Sequence, residues 1–202
     1  MQSLEIKELL PKVSFGNRKL PKNMLIFNIP SVLTCPNKTS FCEQYCYAKK
    51  AERIYPQVYP ARKHNLKLSQ SDNFVQLMNT VLFNNRHKFD LVRVHESGDF
   101  YSQEYLDKWF RIASMYELIK FIAYTKSFHL DFGKKPSNFV LIASFDESTD
   151  VRSKGLYLLK KQYFDNTFTI VSKETKADCI QDCTKCSNCW SSKGLDITVN
   201  KH

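Results

Sequence analysis

The seven cysteines are the residues whose type and spacing most directly indicate chemistry in this chain. They fall into two tight groups, with none between: Cys35, Cys42 and Cys46 in the first, and Cys179, Cys183, Cys186 and Cys189 in the second. An odd number of cysteines cannot all pair within one chain, and clustering of this kind is typical of metal binding rather than of scattered core thiols. The sequence therefore predicts that the cysteines hold metal.

The second group has the spacing C-x3-C-x2-C-x2-C and is followed directly by Trp190. Structural zinc sites usually combine two C-x2-C pairs that lie a dozen or more residues apart. A compact series of short gaps is typical of iron–sulfur binding, because successive turns direct sulfurs to different irons of one cluster. The spacing predicts a [4Fe-4S]-type cluster shielded by Trp190, with zinc as the alternative.

The first group has the looser spacing C-x6-C-x3-C. Cys42 and Cys46 are one helical turn apart, so both can face one object. Three thiolates are one short of the set that a four-iron cluster needs. Either one iron is open to a substrate or cofactor, or a distant residue completes the ligand set. A single cluster that draws on both groups is a further alternative, so the sequence predicts one or two clusters.

Strand and helix patterns alternate along the chain. Strands are predicted at 23–30, 88–95, 118–125, 138–145 and 167–173, and helices at about 41–54 and 102–116. This alternation predicts an α/β fold with a parallel sheet and helices packed outside it. Five strands are too few for a closed eight-stranded barrel, which favours a partial, open α/β barrel. We expect one domain over 1–202, with the partial barrel at 17–175 and a cysteine-rich metal-binding segment at 176–192 that returns across the strand ends.

Polar residues follow several predicted strands, and the carboxyl ends of parallel strands form the ligand-binding face of α/β proteins. His95 is a candidate cluster ligand or proton donor, Glu96 or Asp99 could hold an ammonium or ribose group, and Gly98 could let the backbone approach a ligand. Lys126 could bind an anionic ligand. The full set of candidate ligand-binding residues is Arg93, His95, Glu96, Ser97, Gly98, Asp99 and Lys126.

The formal net charge of +10 comes mainly from lysines spread along the chain. It predicts either a solvated basic surface or an electrostatic footprint for nucleic acid. The longest apolar runs are too short to cross a bilayer, and the N-terminus lacks the pattern of a secretory signal. We therefore expect a cytoplasmic protein without a membrane partner.

Four stretches carry a resemblance to a known family: "NIPSVLTCPNKTSFCEQYCYAKKAER", "VRVHESGDFYSQEYLDKWFRIA", "FIAYTKS" and the terminal cysteine run that ends in "CW". In this order, from about Asn17 to Trp190, they resemble the phage-encoded gene product 88 family. The resemblance implies a phage protein that works in the cytoplasm of the host cell.

The elements "CEQYCYA" and "SGDF" are also similar to segments of radical S-adenosylmethionine enzymes. In those enzymes three cysteines follow the first strand of a partial barrel, and the open iron binds S-adenosylmethionine. Their usual spacing is C-x3-C-x2-C, from which the first group here departs. The hypothesis that follows is an iron–sulfur protein in electron transfer, with a redox partner, or in a structural role. The alternatives are a radical S-adenosylmethionine-like enzyme and a zinc-stabilised nucleic-acid-binding protein.

Overall fold

A computed structural model of the protein describes residues 9–201. Its centre is one sheet of seven strands that lie side by side in chain order. They are β1 (Val13–Phe15), β2 (Met24–Phe27), β3 (Leu91–Val94), β4 (Lys120–Thr125), β5 (Phe139–Phe145), β6 (Asn166–Val171) and β7 (Asp196–Asn200). The pair β1 and β2 is antiparallel, and every later pair is parallel. The predicted α/β class with a mostly parallel sheet is confirmed.

Between residues 9 and 201 the structure defines the first and last residues of seven α-helices and one short 3-10 helix (Lys161–Tyr163). The α-helices are α1 (Ser40–Gln44), α2 (Tyr47–Ile54), α3 (Val58–Ser69), α4 (Phe74–Asn85), α5 (Gln103–Ser114), α6 (Val151–Leu159) and α7 (Asn188–Ser191). None of the helices in this part of the chain is long and apolar enough to cross a bilayer.

The prediction of a single helix over 41–54 is wrong, because the structure has two helices there, separated at Tyr45 and Cys46. Cys46 has an extended backbone, with φ −66° and ψ 106°, and its Sγ accepts a hydrogen bond from Lys49 N at 3.4 Å. Cysteine thus acts as the N-cap of α2, since its sulfur satisfies a backbone N–H that the first helical turn leaves unpaired.

Two strands were missed by sequence reasoning. β1 has only three residues, too few for an alternating pattern to be recognised. β7 pairs in parallel with β6, so the chain between Val171 and Asp196 connects two parallel strands and is not a free tail. The cysteine-rich segment lies within this connection.

The first face of the sheet packs against helices. Phe27 and Val94 point to this side and contact the buried aromatic side chains of α4 and α5. The rings of Phe27 and Trp109 are 5.2 Å apart in an edge-on arrangement. The helix predicted over 102–116 is α5, and its apolar residues are buried, because a helix beside a sheet must remove one face from water.

The opposite face packs against the cysteine-rich segment. Ile26, Ile122 and Ile142 on this face form a buried cluster with Cys189 and Trp190. The other connections between parallel strands contribute their buried side chains to the first face. The parallel strands are added in one direction across the sheet, and the β6–β7 connection crosses the opposite face from the other connections. Its handedness is therefore opposite to theirs. Connections between parallel strands almost always share one hand, so this segment is an exception.

Candidate metal-binding site

The three-cysteine group (Cys35, Cys42 and Cys46) lies at the carboxyl end of the sheet. Cys35 belongs to the loop after β2, Cys42 to α1, and Cys46 caps α2. Burial is the largest of the causes that raise the pKa of Cys35 to about 12, and the nearby Asp99, Cys42 and Cys46 contribute to that rise. Burial also raises the pKa of Cys42, and Cys46 adds to that effect. The fold therefore brings these three thiols together, as the sequence predicts.

The loop that carries Cys35 is held by the loop after β3. Asn28 Oδ1 accepts hydrogen bonds from the backbone N–H groups of Glu96 at 2.7 Å and Ser97 at 3.0 Å. Ser97 Oγ donates to the carbonyl of Ile29 at 2.9 Å. Both predicted candidates Glu96 and Ser97 thus contribute backbone or side-chain groups that position the cysteine loop.

Gly98 has φ +92°, in the region that favours glycine. A Cβ at this position would lie 2.3 Å from Ile29 Cγ1 and 2.6 Å from Thr34 Oγ1. The sequence interpretation expected a ligand to approach this glycine. In the structure the approach is made by the loop that leads to Cys35, so Gly98 serves loop packing.

Asp99 and Lys126 lie beside the three thiols, and their polar atoms have protein partners. The Asp99 carboxylate accepts hydrogen bonds from Thr125 Oγ1 at 2.6 Å and from the backbone N–H of Lys126 at 2.9 Å. Burial raises the pKa of Asp99, while these hydrogen bonds oppose the rise. Lys126 is a neighbour of Cys42, whose pKa it lowers against the larger effect of burial.

Lys126 is fixed by a second carboxylate, Asp146, at the end of β5. Lys126 Nζ lies 2.9 Å from Asp146 Oδ2, and both side chains are buried. Asp146 also accepts from Thr39 Oγ1 at 2.8 Å, and Thr39 is the N-cap that accepts from Cys42 N at 3.0 Å. A chain of hydrogen bonds thus links the strand ends to the helix that carries Cys42.

The four-cysteine group (Cys179, Cys183, Cys186 and Cys189) lies on the face of the sheet, whereas the sequence placed it across the strand ends. Cys179 N donates to Thr198 O at 2.9 Å, and Cys183 N donates to Lys19 O at 2.8 Å. Burial is the largest of the causes that raise the pKa of Cys183 to about 11; Arg93 opposes the rise, and the other three thiols of the group contribute to it. These four thiols are therefore neighbours.

Arg93 lies between the two groups. Its guanidinium carbon is 4.0 Å from the centre of the Tyr124 ring, and its Nε donates to His95 O at 3.0 Å. Its electrostatic neighbours include Tyr47 and Glu96 at the strand ends, and Cys183 on the sheet face. The Tyr124 ring thus supplies one face of the environment of Arg93.

Tyr124 is a site residue that sequence reasoning missed. Its side chain is a neighbour of Cys189 and lowers the pKa of that thiol against the larger rise caused by burial. Strand alternation could have indicated this residue from the sequence. Tyr124 lies two residues from Ile122 in the same strand, so both side chains face the cysteine-rich segment.

His95 is buried on the helix side of the sheet, away from both thiol groups. Its Nε2 lies 2.8 Å from the hydroxyl of Tyr105, and its ring packs edge-on against Phe100 at 5.1 Å. Burial, with a contribution from Arg93, lowers the pKa of His95 to about 3. The structure therefore does not place His95 where the predicted ligand or proton donor would be needed.

All seven cysteines are free thiols. The thiol neighbours of Cys35 come from the three-cysteine group, and those of Cys183 come from the four-cysteine group. Among residues 9–201, no three His, Cys, Asp or Glu side chains are arranged to hold one metal ion. The structure thus shows two sets of neighbouring thiols among these residues.

Fold and site together define an α/β protein with a mostly parallel sheet in chain order and two separate cysteine groups. The chain belongs to the Gene product 88 family, whose profile matches residues 8–195. The predicted family resemblance is confirmed.

Two relatives are the Gene 88 proteins of Mycobacterium phages D29 and L5. The D29 protein is 30% identical over 156 residues, which cover 67% of this chain and 62% of the relative. The L5 protein is 30% identical over 102 residues, 46% of this chain and 43% of the relative. The chain thus spans less than two thirds of either relative. No solved structure matches it. The relatives support a bacteriophage origin, and their names state no activity.

Substitution Gly98→Ala should lower the free energy of unfolding by about 2–4 kcal/mol, because a Cβ would both strain the backbone and collide with Ile29. Chemical denaturation measures the change. The matched control is Gly155→Ala in α6, where a Cβ meets nothing within 4 Å; it should stabilise by about 0.5–1 kcal/mol. Equal stabilities for the two variants would contradict the loop-packing role.

Stability should fall as the pH drops from 7 to 5 because His95 stays neutral in the folded protein. The unfolded chain binds a proton at His95 below its ordinary pKa of 6.5, whereas the folded protein does so only near pH 3. The unfolded state then gains about 2 kcal/mol at pH 5. His95→Asn, which tolerates positive φ, should lack this component. Identical pH dependence of unfolding in both proteins would refute the assignment.

Proposed function

We propose that this protein binds two iron–sulfur clusters, one at each cysteine group. The observation that carries the proposal is the unusual β6–β7 connection, which crosses the sheet on the face opposite to the helices. The side chains that this segment packs against the sheet are mostly cysteines and Trp190. A segment whose core consists of thiols gains its stability most readily from a metal centre that bonds them.

Local structure gives the segment little stability of its own. Within it, α7 has four residues, and Gln181 adopts φ +57°, a conformation that costs energy for a residue with a side chain. Four thiolate–iron bonds would offset these costs. Structural zinc sites usually join two C-x2-C pairs that lie far apart, whereas a compact series of short gaps directs sulfurs to different irons of one cube. The spacing of the four-cysteine group therefore favours the cluster over zinc.

The surroundings of both groups suit an anionic cluster. Burial raises the pKa of Cys35 and Cys183, so their thiols lose protons when iron binds and supplies the compensating positive charge. Lys126 beside the three-cysteine group and Arg93 beside the four-cysteine group would offset the remaining negative charge. Positive charge and hydrogen bonds near the sulfurs raise a cluster's reduction potential.

The two positions suggest different roles. The four-cysteine cluster would lie on the sheet beneath Trp190, which is 9% exposed, and would stabilise the β6–β7 connection. The three-cysteine cluster would lie at the rim, where Cys42 and Cys46 are partly exposed and an electron can pass to a redox partner. We infer a structural role for the first and electron transfer for the second.

A second candidate function is that of a radical S-adenosylmethionine-like enzyme. It is favoured by three thiols, not four, at the carboxyl end of the first parallel strand, in a sheet whose parallel strands follow one another in chain order. One iron would then lack a cysteine, and S-adenosylmethionine would bind there. The spacing of Cys35, Cys42 and Cys46 is the feature that argues against it.

Iron and sulfide analysis of anaerobically purified protein tests the proposal. We expect about eight irons and eight sulfides per chain, falling to half in Cys183→Ala/Cys186→Ala and to half in Cys42→Ser/Cys46→Ser. The serine hydroxyl at position 46 retains the α2 cap. Ser187→Ala, between two ligands, is the control and should keep all the iron. Loss of all iron from either double variant would mean one shared cluster, and zinc without sulfide would overturn the proposal.

Electron paramagnetic resonance separates the two candidate functions. In the enzyme, adding S-adenosylmethionine to the dithionite-reduced protein changes the spectrum and yields deoxyadenosine and methionine. The change should persist in Cys183→Ala/Cys186→Ala and vanish in Cys42→Ser/Cys46→Ser. An unchanged spectrum in iron-replete protein would leave electron transfer as the function.

A further inference from the structure

The surface formed by α2, α3 and the turn between them carries an unusual concentration of positive charge. Residues 45–69 contain six lysines and arginines but a single carboxylate, Glu52. Half of the formal net charge of +10 of the whole chain therefore comes from this short stretch.

The single carboxylate is used inside the molecule. Glu52 Oε1 lies 2.8 Å from Arg62 Nη1 and accepts from the backbone N–H of Ser31 at 2.8 Å. Arg62 also donates to the carbonyl of Ala48 at 3.0 Å, which ties α3 to α2. The cations that remain are exposed, and no carboxylate of this stretch neutralises them: Lys49, Lys50, Arg53, Lys63 and Lys67.

Exposed aromatic rings lie among these cations. Tyr55 is 53% exposed and Tyr59 is 41% exposed. They occupy the turn between the helices and the first turn of α3, and Lys63 Nζ is 5.8 Å from the centre of the Tyr59 ring. Tyrosine rings left open to solvent beside lysines offer faces on which unpaired bases stack, while the lysines contact phosphates.

We propose that this surface, defined by Lys49, Lys50, Arg53, Tyr55, Tyr59, Lys63 and Lys67, binds single-stranded nucleic acid. Charge complementarity identifies a polyanion, and the open rings favour unpaired bases over a duplex, whose bases are already stacked. Because α2 begins directly after Cys46, a bound strand would pass beside the three-cysteine group. The surface itself consists of residues outside both cysteine groups, so its function does not depend on the clusters.

Fluorescence anisotropy with a labelled oligothymidine of about 20 nucleotides tests the surface. The triple variant Lys49→Gln/Lys50→Gln/Arg53→Gln should weaken binding at least tenfold at low salt and reduce the salt slope of log K by about two. The matched control is Arg152→Gln/Lys154→Gln/Lys161→Gln, which removes three exposed cations elsewhere and should change binding less than twofold. Equal losses in both triple variants would mean a general charge effect and overturn the proposal.

Stacking is tested by Tyr55→Leu/Tyr59→Leu, which keeps apolar bulk but removes the rings. Binding should weaken about tenfold or more, whereas Phe83→Leu, at a ring that is 56% exposed elsewhere, should have no effect. If the tyrosine pair proves neutral, or if duplex binds as tightly as the single strand, base stacking is refuted. Binding to phosphatidylserine vesicles without binding to oligothymidine would assign the surface to a membrane instead.

Iron content measured on the same samples keeps this proposal separate from the cluster proposal. An iron-replete protein that fails to bind oligothymidine overturns the surface alone. If iron-free protein binds oligothymidine and the binding depends on Lys49 and Tyr55 as expected, the nucleic-acid proposal is supported and only the cluster proposal is refuted.

Discussion

The contact between the loop after β2 and the loop after β3 is the constraint on which the rest of the candidate site depends. Gly98 leaves room for the side chains of Ile29 and Thr34, and Asn28 joins the two loops through a side-chain oxygen that accepts two backbone hydrogen bonds. Any side chain at position 98 would displace the loop that carries Cys35. The position of the three-cysteine group relative to Asp99 and Lys126 therefore follows from a steric condition rather than from the cysteines themselves.

The two faces of the sheet are stabilised by different means. One face is covered by helices with aromatic and aliphatic side chains, where burial of apolar area provides the driving force. The other face is covered by a segment with almost no regular structure, in which Cys189 and Trp190 are the buried side chains. One face of the sheet is thus packed against helices and the other against a segment rich in thiols. Arg93, which lies on that face, connects it electrostatically to the rim.

Charge is also unevenly distributed. Buried cations such as Arg62 and Lys126 have carboxylate partners, Glu52 and Asp146, because an unpaired charge in the interior is costly. The exposed cations of α2 and α3 lack such partners within their own segment. A high net charge gives no information about fold, but here the charge is concentrated on one surface beside exposed tyrosines.

The sequence by itself determined the α/β class, the strands β2 to β6, the helix α5, the grouping of the cysteines and the family. These features depend on local periodicity and spacing, which neighbouring residues specify. Only the tertiary structure decided that Cys46 interrupts a helix, that His95 turns toward the helices, and that Arg93 meets Tyr124. It also decided that the cysteine-rich segment crosses the opposite face of the sheet. Those outcomes depend on contacts between residues far apart in the chain, for which local patterns carry no signal.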